Sequence, residues 1–164
     1  MKDMDWKRLV NWLEGKGRAL VAFSGGVDSA LVAAAAKEAL DNDVMSVTFR
    51  SEFTGDNEVK GAIAAARFLN AEHRVIQIDL SSKILENPPQ RCYYCKKIIL
   101  EKLTQLKTNL GFTTVVDGTN SDDLKMDRPG LRALDETDTK SPLAELGLEK
   151  KRHYSVESAP WFRI

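Results

Sequence analysis

Two periodicities alternate along the chain. Met4, Leu9, Val10 and Leu13 fall at helical spacing over 4–15 and predict a short leading helix within residues 1–17. Arg18–Phe23 (RALVAF) is a short apolar run that stops at Ser24-Gly25-Gly26, which predicts a buried strand. Asp28–Leu40, rich in Ala, Leu and Val, predicts a helix packed on a sheet. The same alternation continues with a strand over Asp43–Arg50, a helix over Asn57–Leu69 and a strand over Glu72–Leu80. A long helix over Arg91–Leu110 follows Pro88-Pro89, residues that favour a helix start nearby, and a strand over Phe112–Asp117 closes the series. Beyond Asp117 the periodicity blurs: residues 118–147 hold turns, charges and Pro129-Gly130.

Strands separated by helices of a dozen residues pair in parallel through right-handed crossovers. The expected fold is therefore α/β, a doubly wound, Rossmann-like parallel sheet of about five strands with helices on both faces. Such sheets bind ligands beyond the carboxyl ends of their strands, near the point where strand order reverses. The residues just after each strand become the candidates for chemistry.

Composition narrows the picture. The 164 residues correspond to about one domain, expected to span 1–164. Lys plus Arg balances Asp plus Glu, 24 against 24, which argues against a bulk nucleic-acid binder or a polybasic membrane anchor. The start is charged and carries Trp6 and Trp12, unlike a signal peptide, and no run approaches the ~20 apolar residues of a membrane span. The expected location is the cytoplasm. The two cysteines, Cys92 and Cys95, are too close in sequence to staple a fold and read as thiol or metal chemistry.

Ser24-Gly25-Gly26-Val27-Asp28-Ser29 lies between a predicted strand and a predicted helix. Adjacent glycines let the backbone turn tightly, and the following amides gather at a helix N-terminus, an arrangement that binds phosphate. A carboxylate beside phosphates repels them unless a cation stands between, so Asp28 reads as a Mg2+ ligand. Without a ligand the same string is a tight turn capped by Ser or Asp. Neither the Walker A string nor the Gly-x-Gly-x-x-Gly fingerprint occurs. Asp117-Gly118-Thr119-Asn120-Ser121-Asp122-Asp123, after another strand, reads either as an Asx-rich helix cap or as a nucleotide-binding turn. Cys92 and Cys95 open the long helix one turn apart on one face, with Lys96 beside them, a setting that favours the thiolate. Two thiolates do not complete a zinc or iron–sulfur site, and two half-buried thiols without metal are the alternative.

The Ser-Gly-Gly-Val-Asp-Ser string after the first strand resembles the PP-loop signature of the ATP pyrophosphatases, the domains of GMP and NAD synthetases among them. That resemblance implies ATP and Mg2+, cleavage to AMP and pyrophosphate, and an adenylated acceptor. It implies nucleotide contacts from Ala22 and Phe23 through Ser24, Gly25, Gly26, Val27, Asp28 and Ser29. Further contacts are expected from Gly118, Thr119 and Asn120 and, by position alone, from Phe49 and Arg50. Asp123, rather than Asp122, is the expected second Mg2+ ligand. Cys-Tyr-Tyr-Cys-Lys-Lys, the Asp117–Asp123 segment, Asp127-Arg128-Pro129-Gly130 and Ser141-Pro142-Leu143-Ala144-Glu145-Leu146-Gly147-Leu148 occur in one order. Together they look like the LarE-type ATP-dependent sacrificial sulfur transferases, over about Val21–Lys150. That branch implies adenylation of a carboxylate on a pyridinium mononucleotide, followed by sulfur delivery for a nickel-pincer cofactor. The sulfur comes from a sacrificial Cys in some members and from a three-cysteine iron–sulfur cluster in others.

In this reading Cys92, Cys95, Lys96 and Arg128 carry the chemistry, Arg128 as a clamp for a substrate phosphate or carboxylate. Members of the branch continue with a further Cys in a Ser-Pro-Cys-like segment and another domain, whereas residues 150–164 match no part of it. A short or incomplete member is expected, with a second copy or a separate partner supplying the rest. Three competing functions share the same loop: an ammonia-dependent amidating synthetase, a nucleotide-binding module without chemistry, and a tRNA thiolase. The last fits poorly with the neutral charge.

Overall fold

A computed structural model describes residues 3–80, 82–126 and 129–149 of the chain. Its elements are α1 (Asp3–Leu13), β1 (Ala19–Ala22), α2 (Val27–Leu40), β2 (Val44–Arg50), α3 (Asp56–Phe68), β3 (Glu72–Gln77), α4 (Ser82–Leu85), α5 (Arg91–Leu110), β4 (Thr114–Val116), α6 (Ser121–Leu124), α7 (Leu131–Asp135), β5 (Thr139–Lys140) and α8 (Pro142–Glu145). The strands form one five-stranded sheet in the order β3-β2-β1-β4-β5. Every pairing is parallel: Ala19 sits opposite Val44 on one side and Thr114 on the other. This is the expected α/β fold. The order reverses between β1 and β4, so the crevice beyond their carboxyl ends lies between the Ser24–Ser29 turn and the Asp117–Asn120 turn.

Successive strand residues point to opposite faces, and each face has its own core. Val21 and Val116 join Leu9, Leu13, Val32, Ala36 and Leu143 on the side of α1, α2 and α8. Leu20, Met45, Val47 and Val115 join Tyr93, Leu100, Leu103 and Leu134 on the side of α5 and α7. Because the inner strands are covered on both faces, they read as unbroken apolar runs rather than alternations. α2 carries Ala33, Ala35 and Ala36, all at 1% exposure or less, and these short side chains let it lie close on the sheet.

The differences from the sequence pattern have local causes. β3 ends at Gln77 rather than Leu80: the Ile78 amide makes the last ladder bond, to the Arg50 carbonyl at the end of β2, and Leu80 donates instead to the Glu52 carboxylate. The blurred segment holds three helices of four or five residues and a two-residue strand, all shorter than a helical or strand period can show. No described helix is long and apolar enough to cross a membrane.

Leu103 is fully buried between α5 and the sheet. Replacing Leu103 by Ala is expected to cost about 2–5 kcal/mol, read as a lower urea midpoint with an unchanged slope.

Candidate functional site

The phosphate-type turn is built from hydroxyls and from one unusual backbone angle. Ser29 has a single hydroxyl hydrogen, and it goes to the Gly26 carbonyl at 2.9 Å. Ser29 Oγ therefore accepts, from the Ser24 amide at 3.3 Å and from the Ser24 hydroxyl at 3.1 Å. Ser24 Oγ in turn accepts from the Gly26 amide. Gly25 has φ +77°, and a Cβ there would stand 2.7 Å from Ala62 Cα, so the turn is pressed against α3. Gly26, the N-cap of α2, has no side chain to cap the helix, which leaves its first-turn amides as donors for a ligand.

The second wall comes from the end of β4. A Cβ on Gly118 would lie 2.6 Å from the Ser29 amide nitrogen, so only glycine lets the two turns approach this closely. Asn120 is completely buried and joins both acidic residues. Its side-chain amide donates to Asp28 at 3.2 Å, its backbone amide donates to Asp123 at 3.1 Å, and its carbonyl oxygen accepts from the amides of Asp122 and Asp123. Thus Asn120 caps α6 and sets Asp28 and Asp123 on either side of itself. Both carboxylates line a cavity of about 400 Å³ together with Ser24, Gly26, Val27, Ser29, Gly118 and Thr119. Two carboxylates beside a phosphate cradle fit Mg2+, which takes one or two protein carboxylates plus phosphate oxygens. No described group of three or more His, Cys, Asp or Glu side chains is placed to hold a metal by itself.

A second cavity, of about 480 Å³, opens on the other side of Lys96. Its lining includes Phe23, Val47, Thr48, Phe49, Phe53, Arg91, Cys92 and Cys95, and it shares Ala22, Ser24, Lys96 and Asp117 with the first. Lys96 is thus part of the wall common to both. Its ammonium donates to Asp117 at 3.1 Å and to Thr119 Oγ1 at 3.2 Å, which uses two of its three donors. Asp117 is buried and also accepts from Ser141 Oγ at 2.6 Å and from the Thr119 amide and hydroxyl. At the far wall Thr48 donates its one hydroxyl hydrogen to the Phe23 carbonyl at 2.6 Å. His73 Nε2, 2.8 Å away, must then be the donor to Thr48, and burial lowers the pKa of the ring.

The two thiols both face this cavity, Cys92 exposed and Cys95 half-buried. Burial pushes the Cys95 thiol up, and the neighbouring Cys92 adds to this, while Arg91 opposes it. Among the other site residues predicted from sequence, Phe49 lines the cavity, whereas Arg50 is ion-paired with Asp56 at 2.6 Å on the surface and lines neither cavity. Gly25 also lies outside both linings and acts through its packing on α3. Arg128 lies outside the described residues. Sequence reasoning missed Asp117 as the partner of Lys96, and missed Phe53, Arg91 and Ser141. Arg91 immediately precedes Cys92 in the sequence, and that adjacency was a signal available for it.

A parallel α/β sheet with this turn, two acidic residues and a lysine across a crevice defines a nucleotide-binding protein of the ATP pyrophosphatase class. The asparagine synthase family matches residues 12–97, and the chain belongs to that PP-loop family. It is 39% identical over 150 residues to the uncharacterized protein slr1717 of Synechocystis, covering 88% of this chain and 56% of that one. It is 37% identical over 140 residues to the pyridinium-3,5-bisthiocarboxylic acid mononucleotide synthase of Lactiplantibacillus plantarum, covering 84% and 51%. The chain spans about half the length of the curated relatives it matches across most of its own length. The NH3-dependent NAD synthetase of Campylobacter jejuni shares the fold, with a TM-score of 0.72 at 20% identity over 93% of this chain and 72% of that one.

Two outcomes follow from this geometry. Replacing Lys96 by Met removes the only cation beside the buried Asp117 carboxylate among the described residues and leaves it the Ser141 and Thr119 donors, so stability should fall by about 1–3 kcal/mol in urea unfolding. The Kd for α,β-methylene-ATP should rise about tenfold. Iodoacetamide at pH 7 should label Cys92 well before Cys95. The Cys95 rate should climb as pH rises towards its elevated pKa, which peptide mapping by mass spectrometry reads directly.

Proposed function

We propose that the protein cleaves MgATP between the α and β phosphates to adenylate a small carboxylate acceptor, and that the activated carbonyl then takes sulfur. One observation carries this reading: the phosphate cradle and the two thiols line adjoining cavities whose shared wall includes Lys96. The relative named for pyridinium-3,5-bisthiocarboxylic acid mononucleotide synthesis supports the sulfur step.

The residues take distinct parts. The amides at the start of α2, with Ser24 and Ser29, would hold the β and γ phosphates, and Lys96 would stand at the α phosphate between the cavities. Asp28 and Asp123 would hold Mg2+, which when bound neutralises charge on the departing pyrophosphate. A carboxylate oxygen of the acceptor attacks the α phosphorus, the α–β bridging P–O bond breaks, and pyrophosphate leaves. A sulfur nucleophile then attacks the acyl carbon, and AMP leaves with the electron pair of the C–O bond. Cys92 or Cys95 would either be that nucleophile, with the Cβ–S bond then broken by loss of the Cα proton to leave dehydroalanine and the thiocarboxylate, or hold part of a separate sulfur carrier. An iron–sulfur cluster needs at least one more ligand than the two described thiols, which a second copy, a partner or residues outside the described ones would provide. Ammonia-dependent amidation shares every step up to the adenylate, but it gives the paired thiols no task.

The test mixes anaerobically purified protein with MgATP and pyridine-3,5-dicarboxylate mononucleotide, and quantifies AMP, pyrophosphate and thiocarboxylate. Acceptor-dependent AMP and pyrophosphate in equal amounts are expected. The Cys92→Ser/Cys95→Ser variant should still form AMP and lose the thiocarboxylate. ATP bound but left intact would overturn the adenylation reading, and an ammonia-dependent amide formed equally well without the thiols would overturn the sulfur step.

A further inference from the structure

The larger cavity contains a cation that the nucleotide does not need. Two basic side chains line it, Lys96 and Arg91. Lys96 is neutralised by Asp117 at 3.1 Å. Arg91 has no carboxylate partner and no side-chain hydrogen bond among the described residues; its guanidinium lies over the Phe53 ring, 4.8 Å from the centroid. The two carboxylates that line the cavity are engaged elsewhere, Asp117 with Lys96 and Glu58 with the Gly55 amide at 3.3 Å. A half-buried guanidinium resting on an aromatic face keeps most of its five donors for something else.

The charges of the expected ligands say what that something is. The phosphates of ATP are served by the smaller cavity, whose lining includes Ser24, Gly26, Val27, Asp28 and Ser29 and does not include Arg91. Adenosine itself carries no charge. An anion beside Arg91 therefore belongs to a second ligand, held next to Cys92 and Cys95, which line the same cavity.

We propose that Arg91 is the anion anchor of the acceptor. Its guanidinium binds an oxyanion of the acceptor, a carboxylate or a phosphate, and so places the reacting carboxyl group between the nucleotide and the thiols. Phe53, 40% exposed, holds the guanidinium fork in position by stacking, and a planar fork matches the two oxygens of a carboxylate or phosphate better than an ammonium does. The inference rests on the adenylation reading for the nature of the acceptor and goes beyond it by assigning the residue that selects it.

The experiment measures binding rather than turnover, so the two ideas fail separately. The full chain, saturated with Mg2+ and α,β-methylene-ATP, is titrated calorimetrically with pyridine-3,5-dicarboxylate, with its mononucleotide, with inorganic phosphate and with neutral pyridine-3,5-dicarboxamide. The wild type should bind at least one of the anions saturably and not bind the diamide. Arg91→Gln should weaken that binding tenfold or more, Arg91→Lys should weaken it less, and the Kd for the ATP analogue should stay within twofold in both variants. Preference for the free dicarboxylate assigns the anchor to a carboxylate, and competition by inorganic phosphate assigns it to a phosphate. The proposal is overturned if no anion binds, if Arg91→Gln binds the anions as the wild type does, or if the variant loses the ATP analogue to the same degree. Arg91-dependent anion binding in a protein that forms no AMP would sink the adenylation reading and leave the anchor standing.

Discussion

The carboxylate of Asp117 ties the site to the sheet. It stands just past the end of β4, nearly out of reach of water, and accepts from a lysine on α5, from Ser141 at the start of α8 and from its own turn at Thr119. A buried carboxylate is costly unless its lone pairs are filled, and here three separate segments fill them. The same contacts that satisfy Asp117 bring α5 to the crevice and fix Lys96 between its two halves. The thiols one turn and one residue before Lys96 are placed as a by-product, because they ride on the same helix end.

This arrangement divides the labour along the crevice. The half beneath α2 is the more polar of the two and holds backbone donors and three carboxylates, Asp28, Asp117 and Asp123. The half beneath α5 is mostly apolar, with Phe23, Phe49 and Phe53, and its polar groups include two thiols, a guanidinium and an ammonium. A reaction that passes charge from one ligand to another at their junction is suited by such a pair of environments. The pyrophosphate half can be rigid and charged while the other half accommodates ring-shaped groups.

Much of the fold was legible because its signals are long. The buried strands β1 and β2 are continuous apolar runs, and α2 and α5 are long enough for their periods to stand out. The Ser24–Ser29 string was legible because its glycines answer a backbone need, now visible as the positive φ of Gly25 and its press against Ala62. What stayed hidden was pairwise and distant in sequence. Asp117 and Lys96 are 21 residues apart, and Asp117 and Ser141 are 24 apart, so no local pattern links them. Arg50 looked well placed because it ends β2, but strand-end position does not set side-chain direction. Its guanidinium turned to the nearest carboxylate, Asp56 at the start of α3. Helices as short as α6 and α8 leave no periodicity to read, and only their caps, Asn120 and Ser141-Pro142, mark them.

The press of Gly25 against Ala62 has an evolutionary side. α3 supplies Glu58 to the lining of the larger cavity, yet its backbone at Ala62 is the floor on which the phosphate turn rests. Position 62 therefore behaves as a spacer whose permitted size is dictated by a loop 37 residues earlier, and the loop in turn has no room to acquire a side chain. A side chain larger than alanine at this fully buried position would have to move either the helix or the turn, a constraint that the exposed positions of α3 do not share. A lineage that redirected this scaffold to another acceptor would be free to rework Phe53 and Arg91 long before it could alter the floor of the phosphate turn.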